Sequence, residues 1–69
     1  MKRKEIHMNI VNKIAELEEN FAGQAPLNIM VCELNEVGID EIAISNGINE
    51  LINKNVIIEV MNGYYRRKL

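Results

Sequence analysis

The residues best suited to chemistry lie together near the end of the chain, in the segment Tyr64-Tyr65-Arg66-Arg67-Lys68. Arginine and lysine neutralise phosphate groups, and tyrosine rings can stack on nucleic-acid bases. Tyr64, Arg66, Arg67 and Lys68 are therefore candidate DNA contacts. The same cations could instead only protect a sheet edge, because charges on an edge strand discourage pairing with other chains.

A second candidate surface is the outward face of a helix predicted over residues 40–54. The side chains on its outward arc or at its edges are Ile42, Asn46, Asn49, Asn53, Glu41 and Glu50. Asparagine can make a bidentate contact with adenine, so base reading is chemically possible. We favour a solvated polar face, because phosphate neutralisation dominates DNA affinity and this face has no Lys or Arg.

Ile42 is the exception on that face, since it places a large aliphatic side chain in solvent. An exposed apolar side chain can mark a protein contact. Ile42, with Glu41 and Glu50 beside it, is therefore the candidate site for binding another protein.

No residue is predicted to be catalytic, to hold a cofactor or to bind a metal. The single Cys32 cannot form an internal disulfide, and no cluster of Cys and His has zinc-site spacing. His7 is expected to be a partly buried or surface side chain, because no acidic partner is evident for it. No phosphate-binding loop, nucleophile elbow or carboxylate pair is present, so an enzyme is not predicted.

The composition predicts one soluble domain over residues 1–69. The net charge is −2 and the sequence pI is about 5.3, whereas nucleic-acid-binding domains typically exceed pI 9. No apolar run approaches the roughly 20 residues that span a bilayer, and no signal peptide is evident. The expected location is cytoplasmic and nucleoid-associated, with no membrane contact. The basic run Lys2-Arg3-Lys4 is expected to be a solvated tail.

Apolar periodicity predicts helices over about residues 4–21, 26–35 and 40–54. The side chains expected to face the core are Ile6, Ile10, Ile14, Leu17 and Phe21 in the first helix, Leu27, Met30, Val31 and Leu34 in the second, and Ile44, Ile48, Leu51 and Ile52 in the third. Asp40 is a suitable N-cap for the third helix. Gly47 lies beside the buried stripe, which suggests that another helix approaches closely there.

Asn62-Gly63 between two runs of strand-forming residues predicts a β-hairpin over about residues 56–68. A two-residue loop would pair Glu59 with Arg66, whereas a three-residue loop would place Ile57 opposite Tyr65, and the sequence leaves both registers open. Three helices followed by a hairpin predict an α+β, mostly α fold. The expected architecture is a winged helix-turn-helix, with a three-helix core and a C-terminal two-stranded wing.

Most of the chain, from about Ile6 onward, resembles the C-terminal winged-helix domain of archaeal minichromosome maintenance (MCM) replicative helicases. The matching features are Phe21-Ala22-Gly23 before Ala25-Pro26-Leu27, the helix start Gly38-Ile39-Asp40-Glu41, the run from Ile48 to Leu51, and Gly63-Tyr64-Tyr65-Arg66-Arg67. The chain departs from the family at Asn55, where glycine is frequent, and at Val60 and Asn62, where prolines occur in the wing.

The resemblance implies a regulatory domain separated from a larger ATP-driven DNA helicase. Its implied partners are the MCM ATPase motor domain and possible origin-recognition or loader proteins, and its direct DNA binding is expected to be weak or missing. The isolated domain is expected to be monomeric, to need no cofactor and to hydrolyse no ATP.

Two alternatives remain open. The chain could be a freestanding winged-helix transcriptional regulator that reads bases with Asn46, Asn49 and Asn53, in which case dimerisation would supply affinity and half-site recognition. It could also be a pure protein-interaction module that uses Ile42 and its neighbouring carboxylates.

Overall fold

The computed structural model describes residues 2–68, which form three helices and a three-stranded antiparallel sheet. The elements, in chain order, are α1 (Arg3–Asn20), β1 (Ala25–Pro26), α2 (Leu27–Glu36), α3 (Glu41–Asn53), β2 (Ile57–Met61) and β3 (Tyr64–Arg67). The fold is α+β and mostly helical, as predicted. The helices and the hairpin begin and end within one residue of their predicted limits.

The end of α1 differs from the prediction in one side chain. Phe21 was expected to continue the buried stripe, but α1 ends at Asn20 and Phe21 is its C-cap, with φ −131°. The stripe of Ile10, Ile14 and Leu17 is buried, whereas Phe21 is 40% exposed. The reason is geometric, because a residue that leaves helical φ and ψ no longer projects along the helix face.

The start of α3 follows its sequence signal. Asp40 is the N-cap, and its Oδ1 accepts a hydrogen bond of 2.8 Å from the backbone N–H of Ala43. This bond satisfies one of the donors that a helix leaves without a partner at its first turn. The side chain of Glu41 lies in that first turn, where negative charge is favoured by the helix dipole.

The close approach predicted at Gly47 is present between α1 and α3. A methyl group added to Gly47 would lie 2.5 Å from Ile10 Cδ1 and 3.5 Å from Ile6 Cγ2. Ile10 is fully buried, so it occupies the space that a side chain at position 47 would need. Glycine at this position therefore allows the two helix backbones to approach each other.

The sheet has three strands, whereas two were predicted. Its order is β1-β3-β2, and the pairs Ala25–Tyr65 and Pro26–Tyr64 join β1 to β3. The adjoining N–H of Leu27 also donates to the Gly63 carbonyl, at 2.8 Å. Proline has no N–H, so it is accommodated at a sheet edge such as this one.

The hairpin register matches neither predicted loop in full. Ile57, Ile58 and Glu59 pair with Arg67, Arg66 and Tyr65, and a bulge at Val60 lets Met61 pair with Tyr64. The bulge inserts one residue into β2 and shifts the pairing beyond it. Ile57 and Tyr65 consequently share the face of the sheet that packs on the core, as the three-residue loop predicted, and both are buried.

The core draws on every element. Its buried hydrophobic residues are Ile10, Ile14, Leu17, Ala25, Met30, Leu34, Ile39, Ile44, Ile48, Leu51, Ile57 and Tyr65. Predicted inward residues Ile6, Leu27, Val31 and Ile52 are half-buried and pack against this cluster. The core is mainly aliphatic, and the hairpin supplies one aliphatic and one aromatic side chain to it.

Replacing Gly47 by valine is expected to lower the free energy of unfolding by about 1–3 kcal/mol, because the added methyl groups would displace the fully buried Ile10. Urea denaturation followed by circular dichroism measures the change. The matched control is Ser45→Val, which places valine at an exposed position of the same helix and should stay within about 0.5 kcal/mol of wild type. Equal stabilities for the two variants would contradict the close approach.

Candidate interaction surfaces

The outward face of α3 has the composition that the sequence predicted. Ile42, Asn46, Asn49 and Asn53 are all exposed, and Ile42 is 75% exposed. An open groove beside Ile42 is lined by Asp40, Glu41, Ala43 and Asn46 as well. The first turn of α3 therefore presents an aliphatic side chain with two carboxylates nearby.

A second groove lies between α1 and α3. It is lined by Arg3, Ile6 and His7 from α1 and by Ala43, Asn46, Gly47, Asn49, Glu50 and Asn53 from α3. The asparagine amides of α3 thus have basic side chains of α1 beside them. No pattern in the sequence predicts this groove, because it exists only where the two helices pack together.

Glu50 lies in this groove, where two side chains of α1 contact its carboxylate. His7 Nε2 lies 2.7 Å from Glu50 Oε1, and Arg3 Nε lies 3.6 Å from Glu50 Oε2. The hydrogen bond with His7 is the main reason that the pKa of Glu50 lies below its ordinary value, and the charge of Arg3 adds to the effect. The expectation that His7 has no acidic partner is therefore wrong, since its partner is 43 positions away.

Arg67 joins the hairpin to α1 by binding Glu18. Its backbone N–H donates to Glu18 Oε2 at 2.7 Å, and its Nε and Nη2 donate to Glu18 Oε1 at 2.9 and 2.8 Å. The side chain of Glu18 is only 14% exposed, so its charge needs these donors. One carboxylate thereby holds the strand and its guanidinium against the helix.

The pKa of Glu18 reflects that environment. Burial alone would raise the pKa, because a desolvated carboxylate is less stable when charged. The hydrogen bonds from the Arg67 side chain and backbone outweigh the effect of burial, so that the pKa lies below its ordinary value. Glu18 is consequently held in its ionised form at neutral pH.

The remaining members of the terminal segment divide between surface and core. Tyr64, Arg66 and Lys68 are exposed, whereas Tyr65 is 8% exposed and belongs to the core. Burial raises the pKa of the Tyr65 hydroxyl, and the nearby Glu59 carboxylate raises it further. Three of the four candidate DNA contacts in this segment are therefore accessible, and Arg67 is held by Glu18.

An ion pair between Lys13 and Glu33 joins α1 to α2. Lys13 Nζ lies 2.9 Å from Glu33 on α2 and 2.9 Å from Glu16 on its own helix. These hydrogen bonds, chiefly the one to Glu33, raise the pKa of Lys13. The contact between Lys13 and Glu16 is predictable from the sequence, because residues at i,i+3 spacing lie next to each other on a helix.

The long-range partners of α1 were missed because their spacing carries no periodic signal. Glu18 follows the buried Leu17 directly, which places it at the margin of the apolar stripe. A carboxylate in that position is a weak indication of a partner on the element that covers the stripe. The sequence alone does not indicate which cation that partner is.

Within residues 2–68, no group of three or more His, Cys, Asp or Glu side chains is placed to hold a metal ion. The thiol of Cys32 is free and exposed on α2. In the same range, none of the helices combines the length and apolar character needed to cross a bilayer. Comparison with known proteins finds no matching family model, no matching curated protein and no matching solved structure.

Glu18→Gln is expected to destabilise the fold by about 1–2 kcal/mol at pH 7, because a neutral amide replaces the ionised acceptor of Arg67. The lowered pKa also sets a pH dependence. The contribution of Glu18 is complete above its ordinary pKa of 4.5 and is lost as the pH falls through its lower folded value.

Urea denaturation at several pH values between about 3 and 7 measures both effects, because this range covers the titration of carboxylates. The difference in stability between wild type and Glu18→Gln should shrink as the pH falls. Glu19→Gln is the matched control, since Glu19 is the exposed neighbour on the same helix. A difference that stays constant across this range would show that the charge of Glu18 contributes nothing.

Proposed function

We propose that the chain is a non-catalytic winged-helix domain that regulates a DNA replication helicase of the MCM type through protein contacts. The observation that carries this proposal is the outward face of α3, the element that enters DNA in helix-turn-helix proteins. That face presents the exposed Ile42 with Glu41 beside it, and its own residues include no Lys or Arg. Such a surface suits a protein partner better than a phosphate backbone.

The distribution of positive charge supports weak DNA binding. Arg67 forms an ion pair with Glu18. Arg3 lies beside Glu50 on α3, and the carboxylate of Glu50 offsets the positive charge of Arg3. Arg66 and Lys68 remain exposed on the hairpin. Each phosphate contact contributes to affinity and to its salt dependence, so the two exposed cations of the hairpin give weak, salt-sensitive and sequence-independent binding.

The residues that carry the MCM resemblance have identifiable roles in this fold. Asp40 caps α3, Tyr65 fills the core, and Arg67 binds Glu18. Gly63 has φ +86° in the hairpin turn, a conformation that side chains disfavour. The resemblance therefore supports a shared winged-helix architecture, and the proposed regulatory role depends on the surface around Ile42.

A freestanding DNA-binding regulator is the second candidate. It is favoured by one observation, which is that Arg3 lies in the same groove as Asn46, Asn49 and Asn53. There a cation accompanies amides that could read adenine. The nearby Glu50 carboxylate opposes this function, because it repels phosphates and already lies against Arg3.

Titration of labelled duplex and single-stranded DNA, followed by fluorescence anisotropy, distinguishes the two candidates. At physiological salt we expect dissociation constants weaker than about 1 μM, with no preferred sequence. Replacing both Arg66 and Lys68 by alanine should weaken the residual binding, whereas Asn49→Ala should leave it unchanged. Sequence-specific binding tighter than about 1 μM that Asn49→Ala abolishes would favour the second candidate and contradict the first.

The regulatory role is tested by fusing the chain to an archaeal MCM motor from which its own winged-helix domain has been removed. We expect the fusion to change the DNA-stimulated ATPase rate relative to the motor alone. Ile42→Asp should abolish the change, because it places a charge at the centre of the proposed contact.

Val37→Asp is the matched control for that experiment. Val37 is 60% exposed, and it lines a groove on the α1–α2 side of the molecule, away from Ile42. The Val37→Asp fusion should behave as the wild-type fusion does. An ATPase rate identical in the motor alone and in all three fusions would contradict a regulatory role in this motor.

A further inference from the structure

Two asparagines of the chain are followed by glycine, at Asn46-Gly47 in α3 and at Asn62-Gly63 in the hairpin turn. An asparagine side chain loses ammonia when the backbone nitrogen of the next residue attacks the side-chain amide carbon. Glycine in the next position favours this reaction, because it has no side chain to hinder the attack and its backbone rotates freely. The two pairs have the same residue types, so the fold decides which of them reacts.

The hairpin turn leaves Asn62-Gly63 accessible to water. The side chain of Asn62 is exposed. The N–H of Gly63 donates to Oε2 of the exposed Glu59 at 3.4 Å, which is long for a hydrogen bond of this kind. Because the acceptor is an exposed side chain, water can replace it. The nitrogen of Gly63 therefore becomes available without the loss of a main-chain hydrogen bond.

The other pair is protected by α3. Gly47 is buried in the middle of this helix, where its N–H bonds to the carbonyl four residues earlier, that of Ala43. The helix also fixes the backbone rotation that would bring the nitrogen of Gly47 to the side chain of Asn46. Ile10 fills the space beside Gly47, so α3 has little room to open there. We therefore expect Asn46 to be stable in the folded chain.

We propose that Asn62 is a site of spontaneous deamidation, with hydroxide and water as the co-reactants. Hydroxide removes the proton from the N–H of Gly63, and this nitrogen forms a bond to Cγ of Asn62. The bond between Cγ and the side-chain nitrogen then breaks. That nitrogen takes a proton from water, which restores the hydroxide, and leaves as ammonia. Water opens the resulting succinimide ring at either carbonyl, which yields aspartate or isoaspartate at position 62.

The modification changes the hairpin turn in two ways. Either product adds one negative charge to a chain whose net charge is −2, at a turn that the Glu59 carboxylate already contacts. Isoaspartate also lengthens the main chain by one CH₂ group. The carbonyl of Gly63 accepts from the N–H of Leu27, the first residue of α2, at 2.8 Å. A longer main chain displaces this carbonyl, so isoaspartate releases the start of α2 from the hairpin.

Peptide mapping by mass spectrometry tests the proposal on the folded chain, incubated at neutral and mildly alkaline pH. Trypsin separates the two pairs, since Asn62 lies in the peptide 55–66 and Asn46 in the peptide 14–54. Peptide 55–66 should gain the mass difference between an amide and an acid, at a rate that rises in proportion to the hydroxide concentration. Asn46 should stay unmodified. In urea that unfolds the chain, both pairs should react at similar rates.

Variants assign the reaction to one residue. Asn62→Gln should abolish the mass gain of peptide 55–66, because attack on the longer side chain forms a larger ring and is slower. Asn55→Gly is the matched control, since it removes the other asparagine of that peptide and glycine suits its φ of +63°. It should react as wild type does. A mass gain that persists in Asn62→Gln would overturn the proposal, because the reaction would then lie at Asn55.

Hydrogen exchange followed by NMR tests the effect on α2, with the isoaspartate form separated by anion exchange. The amide of Leu27 should exchange faster than in the unmodified protein, because its acceptor is displaced. The amide of Ile44, which donates to the Asp40 carbonyl at 3.0 Å, is the control and should not change. An unchanged exchange rate at Leu27 would contradict the release of α2.

Equal modification of Asn46 and Asn62 in the folded chain would overturn the proposal, because the reaction would then proceed through the unfolded chain. An unmodified Asn62 in the folded chain, over a time in which the chain in urea reacts, would overturn it as well, because the hairpin turn would then protect the pair. The modification requires only the turn and water, so either result leaves the proposed helicase role untouched.

Discussion

The close contact of α1 with α3 at Gly47 is the constraint on which the rest of this small structure depends. Only a residue without a side chain leaves room for Ile10, which is fully buried between the helices. A chain of this size has few core residues, so each close-packed pair contributes a large share of its stability. The same approach brings His7 and Arg3 to Glu50 and thereby creates the groove beside the asparagines of α3.

The carboxylate of Glu18 has a comparable role at the other end of α1. Because it accepts from both the backbone and the side chain of Arg67, it couples the position of the last strand to the first helix. It also withdraws one arginine from a segment that looks uniformly basic in the sequence. The surface available to nucleic acid is consequently less positive than the residue types suggest. This lower positive charge favours a protein partner over DNA.

Local signals in the sequence were sufficient for the helices, the Asp40 cap, the hairpin turn and the exposure of the α3 face. Phe21 was misplaced because a periodic pattern does not show where a helix ends. The third strand and the bulge at Val60 were missed because both depend on pairing with β3. The two main ion pairs were missed because their partners are 43 and 49 positions apart in the chain, where no spacing rule applies.

The order of the strands has a consequence for how the chain reaches this structure. β3 is the last strand in the chain but the central one in the sheet, so β1 and β2 have no common partner until residues 64–67 are in place. The helices rely on local contacts that form quickly, whereas joining β1 to β3 closes a loop of about 40 residues and costs chain entropy. We therefore expect sheet assembly to be the late, rate-determining event of folding, with the helical segments already formed when it occurs.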